Sequence, residues 1–282
     1  PHRHPQPAVS APRHGQPPRI GPRLARDYPT LPITHGSRAL GSSLGETRYT
    51  SGLAHLYDML AATGLDPTRD AAYRAMLEST HAVTDANPHY NCGNHNTWNL
   101  QGRLAVGAAL GDMQIIHDAL YGWRCPQCFR YGLAHQLQHD YLSDGFHWER
   151  APGYHMYTLM GMTEAAMIMR NLGVNLLTHP VPALMAPDSE QDSEYARDLH
   201  RAYGPEGERR LLAAWHAIHY CATAAGDLSL LHDSGTANLD QLYIWGPVLE
   251  YAYDMTGDET ITRMIGHVER RHPDAQRDTP RL

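Results

Sequence analysis

Two short segments of this 282-residue chain concentrate side chains that can hold an anion and move protons. The first runs Asn91-Cys92-Gly93-Asn94-His95-Asn96-Thr97-Trp98-Asn99 and immediately precedes a helical pattern containing Arg103. A helix N-terminus presents unpaired backbone N–H groups and a potential that favours negative charge. Asn94 could therefore donate to a carboxylate, with His95 beside it. The competing reading is that Asn and Thr only cap the helix and that His95 is a surface residue. The second segment runs from Asp144-Gly145-Phe146-His147-Trp148-Glu149-Arg150 through Ala151-Pro152-Gly153-Tyr154-His155-Met156-Tyr157. Asp-Gly and Pro-Gly mark turns, so these aromatic and charged groups belong on a loop and on the first turn of the helix that follows, where function concentrates. The bland alternative makes Tyr154 and Tyr157 half-buried packing residues and Glu149-Arg150 a surface pair of little energetic value.

Composition narrows the chemistry. All 23 basic residues are arginine, because the chain has no lysine, which removes lysine-based phosphate loops and Schiff-base catalysis. A formal charge of -7 argues against a general nucleic-acid binder, so an anionic ligand needs a local cluster of cationic and hydrogen-bonding groups. Twenty histidines and 16 tyrosines accompany only two phenylalanines; tyrosine must supply much of the aromatic packing, and enrichment alone locates no site. Cys92, Cys125, Cys128 and Cys221 contain one C-x-x-C pair without a matching second pair. Free or buried thiols, or one disulfide, fit this better than a zinc centre, and neither metal nor cofactor is expected. No apolar run is long enough to cross a membrane, and the N-terminus lacks the apolar core of a signal peptide.

The elements that must position these groups are helices. Residues 1–45 are rich in Pro, Arg, His, Gly and Ser and read as an extended or disordered arm without a core; residues 46–270 form a helical domain, followed by a tail over 271–282. Leu53, Leu56, Tyr57 and Leu60 recur at helical spacing, as do Leu159, Met162, Ala166 and Met169, and Leu211, Leu212, Trp215, Ile218 and Ala222. Helical segments end on Leu110-Gly111-Asp112, Ala225-Gly226-Asp227 and Thr256-Gly257-Asp258, with a looser Gly64-Leu65-Asp66. Glycine suits the left-handed position that stops a helix, and aspartate caps the next one, which predicts helical hairpins. Such hairpins pack as a bundle, a solenoid or a closed toroid, and periodicity does not choose among them. Strand signals are sparse, so the expected fold is all-α.

Taken in order, Asn94-His95 before a tryptophan-containing helix ending in Leu-Gly-Asp, then Asp144-Gly145, Trp148-Glu149 and Gly153-Tyr154-His155-Met156-Tyr157-Thr158-Leu159, resemble the heparinase II/III and alginate lyase superfamily of polysaccharide lyases. The resemblance continues through Leu231-His232-Asp233-Ser234-Gly235 to Thr256-Gly257-Asp258 and covers roughly residues 50 to 260, with Tyr-His-x-Tyr its most specific part. It implies an incomplete α/α toroid of antiparallel hairpins, here without the β-sandwich that often follows, and a secreted or periplasmic setting. It also implies an anionic polysaccharide partner, alginate or heparin-like, cleaved by β-elimination. On that basis Asn94 and His95 neutralise the uronate carboxylate, with Arg103 or Arg150 as helpers. Tyr154 is the first choice for base, acid or both, with Tyr157, His155 and His95 as rivals. Trp98, Trp148 and Trp245 are possible sugar platforms, and Glu149 lies in the same binding cluster. A toroidal glycoside hydrolase using Glu149, Asp144 or Asp233 is the enzymatic alternative. A non-catalytic polysaccharide-binding helical fragment is the other.

Overall fold

A computed structural model of the chain describes residues 43–86, 93–125, 128–142, 144–180, 211–232, 237–244 and 248–272. The described chain is all-α apart from one short hairpin. In order it runs through α1 (Ser43–Ala61), α2 (Pro67–Ala86), α3 (Gly93–Leu110), α4 (Met113–Tyr121), β1 (Trp123–Cys125), β2 (Cys128–Arg130), α5 (Leu133–His139) and α6 (Pro152–Asn171). Then follow α7 (Leu211–Tyr220), α8 (Asp240–Ile244), α9 (Val248–Thr256) and α10 (Glu259–Arg271). The two strands pair antiparallel, Trp123 opposite Arg130 and Cys125 opposite Cys128.

Helix α3 lies at the centre, packed against α1, α2, α4, α5 and α6. From Gly93 to Gly107 its residues are buried except His95 and Arg103. A helix buried on nearly every side needs positions where neighbouring backbones can come close, and two glycines supply them. A Cβ on Gly102 would stand 2.3 Å from Thr47 Cγ2 and 2.8 Å from the Thr47 carbonyl oxygen of α1; one on Gly107 would stand 2.9 Å from Ile116 of α4. Helix α6 packs on α3, α7 and α9, while α10 lays Ile261, Met264 and Val268, a three- and four-residue spacing, onto α7 and α9.

The glycine-aspartate punctuation works as expected at three of its four positions. Gly64, Gly111 and Gly257 all have positive φ, and Asp66, Asp112 and Asp258 each accept two N–H groups of the following turn. The fourth differs. Helix α7 ends at Tyr220, and Gly226-Asp227 forms a turn held by bridges from Ala222 to Leu228 and from Asp227 to Asn238.

Two boundaries also depart from expectation. Helix α3 begins at Gly93, so Asn94 and His95 lie inside its first turn instead of ahead of it. Pro152-Gly153 is no turn: Ala151 is the extended N-cap and Pro152 opens α6, where its missing N–H costs nothing. Most of the N-terminal arm, Cys92, Asp233-Ser234-Gly235, Trp245 and most of the tail lie outside the described residues. None of the described helices is long and apolar enough to cross a membrane.

Candidate functional site

The two chemical segments meet at one end of α3. Gly93 takes φ +76°, and a Cβ there would stand 3.0 Å from Glu149 Oε1 and 3.8 Å from the Trp148 ring. One residue on, Asn94 Nδ2 donates to Glu149 Oε1 at 3.5 Å, so this amide faces the loop that leads into α6. Further along, the Trp98 and Tyr157 rings lie 5.1 Å apart, tilted by 40°, and Gly161 gives Thr97 and Trp98 room to approach. Gly93 thus sits beside residues 148–149 and Trp98 beside Tyr157, so α3 and α6 run in roughly the same direction and start at the same end. Asn94, His95 and Tyr154 all belong to those first turns; His95 and Tyr154 are half-buried and Asn94 is buried.

A buried network anchors this junction. Asp140, 2% exposed, accepts the Gly93 N–H at 2.7 Å and the Gln136 side-chain amide at 2.8 Å on the same carboxylate oxygen. Gln136 Nε2 also donates to the Gly93 carbonyl, and Gln136 Oε1 accepts from Thr97 Oγ1. The Asp140 carbonyl in turn accepts the Trp148 N–H at 2.8 Å. One residue therefore fixes both the start of α3 and the loop bearing Trp148 and Glu149. Sequence reading passed over Gln136 and Asp140, although their i,i+4 spacing across the end of α5 was a usable sign that two polar groups share one face.

The face of α6 sorts the tyrosine and histidine rivals. His155 is fully buried: its Nδ1 accepts the His147 N–H at 3.0 Å and its Nε2 donates to the Ala214 carbonyl at 2.9 Å. Burial lowers its pKa to about 4, against the opposing effects of the Ala214 hydrogen bond and Asp144, so it is a neutral bracket between loop and α7. Both of its ring nitrogens are engaged by backbone groups. Tyr157 is half-buried; burial pushes its phenol upward, opposed by the charge and hydrogen bond of Arg48. Arg48, an exposed residue of α1, holds its guanidinium carbon 4.8 Å from the Trp98 ring centroid. Trp98 itself is 1% exposed and serves as a floor, which corrects its reading as a stacking platform. Trp148 is only partly buried.

The two arginine helpers differ in their surroundings. Arg103 pairs with Asp85 and with Asp118 at 3.1 Å, lies over Trp123 at 4.0 Å, and is about 13 Å along α3 from Asn94. Its charge is already spent on structure. Arg150 is exposed, takes the left-handed φ of 52°, and lines a cavity of ≈ 490 Å³ with Leu142, Asp144, Phe146, Tyr220 and Cys221. Asp144 caps the Phe146 N–H at 2.8 Å. Among the described residues no group of three or more His, Cys, Asp or Glu side chains could hold a metal ion.

A family model described as Alginate lyase matches residues 24–183, a span that contains both segments, the Asp140 network and all of α1 to α6. No curated protein sequence matches the chain. The family match covers more than half of the 282 residues and includes every element that meets at the start of α3, and the chain belongs to the alginate lyase family of polysaccharide lyases.

Proposed function

We propose that the chain cleaves a uronic-acid polymer of the alginate or heparin-like class by β-elimination, in a cleft lined by the first turns of α3 and α6. The observation that carries this reading is the meeting of Asn94 with the Trp148-Glu149 loop at the mouth of α6, held by Asp140. The chemistry has three demands. The C6 carboxylate must be neutralised so that the C5 proton becomes removable, and Asn94 and His95 on a helix N-terminus supply donors where that charge builds up. A base takes the C5 proton, the electron pair forms the C4–C5 double bond, the C4–O bond breaks, and the leaving glycosidic oxygen takes up a proton. Tyr154 fills the base role, the acid role or both, since a phenol within reach of one sugar can exchange protons with both atoms. His95 is the alternative base if proton removal and departure use opposite faces. The helical hairpins would then curve around the cleft as an incomplete toroid.

The test is product absorbance. Alginate, heparin, heparan sulfate, hyaluronan and glucuronan are each incubated with the enzyme, and the ultraviolet band of an unsaturated uronate is followed. A rising band on at least one polymer supports elimination. Reducing ends that accumulate without the band point to hydrolysis, and binding without any product points to a non-catalytic role.

A further inference from the structure

The loop over residues 144–150 carries Trp148 and Glu149 to the start of α3, and two histidines hold it down. The His147 backbone N–H donates to His155 Nδ1 at 3.0 Å, and His155 Nε2 donates in turn to the Ala214 carbonyl of α7 at 2.9 Å. An imidazole that accepts at one nitrogen and donates at the other is a single neutral tautomer; a second proton would have to sit on Nδ1, against the His147 N–H. His147 itself is fully buried, and neither of its ring nitrogens has a hydrogen-bond partner among the described residues. Its ring lies 5.5 Å from that of Tyr141 and 5.9 Å from that of Trp148. Around the pair, Tyr141 faces both imidazoles with a phenol that burial and Asp140 keep protonated, and Phe146 stacks on His155 at 4.6 Å. Helix α7 presents the Ala214 carbonyl, and Asp144 is the carboxylate whose field favours a charged His155. On another side the loop borders the cavity of ≈ 490 Å³ lined by Leu142, Phe146, Ala217 and Leu231, which leaves it room to move.

We infer that His147 and His155 are the positioning residues of the Trp148-Glu149 loop and form a latch: the loop stays seated while both imidazoles are neutral and lifts when they take up protons. The consequence for substrate rests on the lyase reading above; the latch itself does not. In the seated loop, a proton on His147 finds no acceptor and a proton on His155 Nδ1 displaces the bond that holds the loop. Lifting hydrates His147 and frees His155 Nδ1, so both rings then titrate near the ordinary value of about 6.5. Burial outweighs Asp144 and lowers the seated His155 to about 4, and it holds the seated His147 well below its ordinary value. Above about pH 6.5 neither state binds these protons and the loop is fully seated; below it the lifted state binds them and the seated state does not. Opening therefore grows as pH falls, by about a factor of ten per pH unit for each histidine released.

Hydrogen–deuterium exchange of the full chain at about pH 7.5 and about pH 5.5, read over residues 144–150 and normalised to intrinsic rates, tests this. Between the two conditions the opening constant of the loop should rise about 100-fold in wild type, about tenfold in His147→Phe or His155→Asn, and hardly at all in the double variant. His147→Phe keeps a buried ring that cannot titrate, and His155→Asn keeps an acceptor in the Nδ1 position. Tyr141→Phe changes the same ring cluster without removing an imidazole and should keep the wild-type rise. Amides 100–106 of α3 should exchange more slowly than the loop at both pH values, which marks the opening as local. An alginate oligomer at about ten times its Kd should slow the wild-type loop about tenfold at the lower pH, because it needs Trp148 and Glu149 in place. If no oligomer binds, the lyase reading falls while the profile of the free chain still decides the latch. A flat wild-type profile, which needs no variant to fold, overturns the inference. So does loop exchange in step with α3, a full rise surviving in the double variant, a rise lost in Tyr141→Phe, or a bound oligomer that leaves the loop's exchange unchanged.

Discussion

The carboxylate of Asp140 accepts the backbone N–H of Gly93 at 2.7 Å, across 47 positions of sequence, with both residues buried. An acceptor at that point takes up one of the unpaired N–H groups at the start of α3 and sets the helix's first turn against the loop ahead of α6. Asp140→Ala leaves the Gly93 N–H and part of the Gln136 amide unsatisfied, so it should cost about 2–3 kcal/mol in urea denaturation, the scale for hydrogen bonds to a charged group. Because Asn94 follows Gly93, kcat should fall even at temperatures where the variant is fully folded. A destabilised variant with wild-type kcat would show that the network holds the fold without tuning the site.

Tyr154→Phe should leave folding and oligomer binding nearly intact while lowering kcat by roughly 10²- to 10⁴-fold, the usual scale for losing a positioned acid or base. Tyr157→Phe should act mainly on KM and much less on kcat. Unchanged turnover of Tyr154→Phe on a confirmed substrate would move the proton-transfer role to His95.

Acid should unfold this protein earlier than a carboxylate count suggests. Burial lowers the pKa of His155 to about 4 and that of His135 to about 4, and it holds His147 well below its ordinary value. Between the unfolded value near 6.5 and the folded value, the unfolded chain binds more protons than the native one, so stability is fully present above about pH 6.5 and is lost as pH falls toward 4. For His155 alone the limiting loss is on the order of 3 kcal/mol. Urea midpoints measured from pH 7.5 to 4.5 check this; a flat profile would show that these imidazoles are hydrated in solution.

Gly102→Ala should be among the most damaging single methyl additions. The new Cβ meets the Thr47 side chain and carbonyl well inside contact distance, so α1 must shift away from α3, at a cost of about 1–3 kcal/mol. Gly102 shares α3 with Asn94 and His95, so KM for uronate oligomers should rise alongside the drop in Tm. A variant with lowered Tm and unaltered KM would separate the α1–α3 spacing from binding.

What the sequence made legible follows from how local each signal is. Helix stops at Gly111 and Gly257 and caps at Asp112 and Asp258 act within a few residues, and they could be read directly. The Gly226-Asp227 pair carries the same letters in a different setting, because the helix it was expected to stop already ends at Tyr220. At the site, Asn94, His95 and Tyr154 were visible as unusual clusters, but helical phase alone could not say that Tyr154 and Tyr157 are part-exposed while His155 faces Ala214. Arg103 shows the reverse failure: its place in the helix that follows Asn94 and His95 suggested substrate contact, whereas Asp85 and Asp118, from two other helices, already neutralise it.

The enclosure of α3 turns one helix into a gauge of the whole molecule. Its amide hydrogens are bonded within the helix and walled off by five neighbours, so no partial opening of a single surface element exposes them to solvent. Their exchange with deuterium should therefore await global unfolding, and the slowest amides between Leu100 and Val106 should report the full unfolding free energy in the absence of denaturant. Ahead of them, at the helix's first turn, exchange should instead follow the opening of the Asp140 anchor. The difference between those two rates would measure how independently the candidate site moves from the core that carries it.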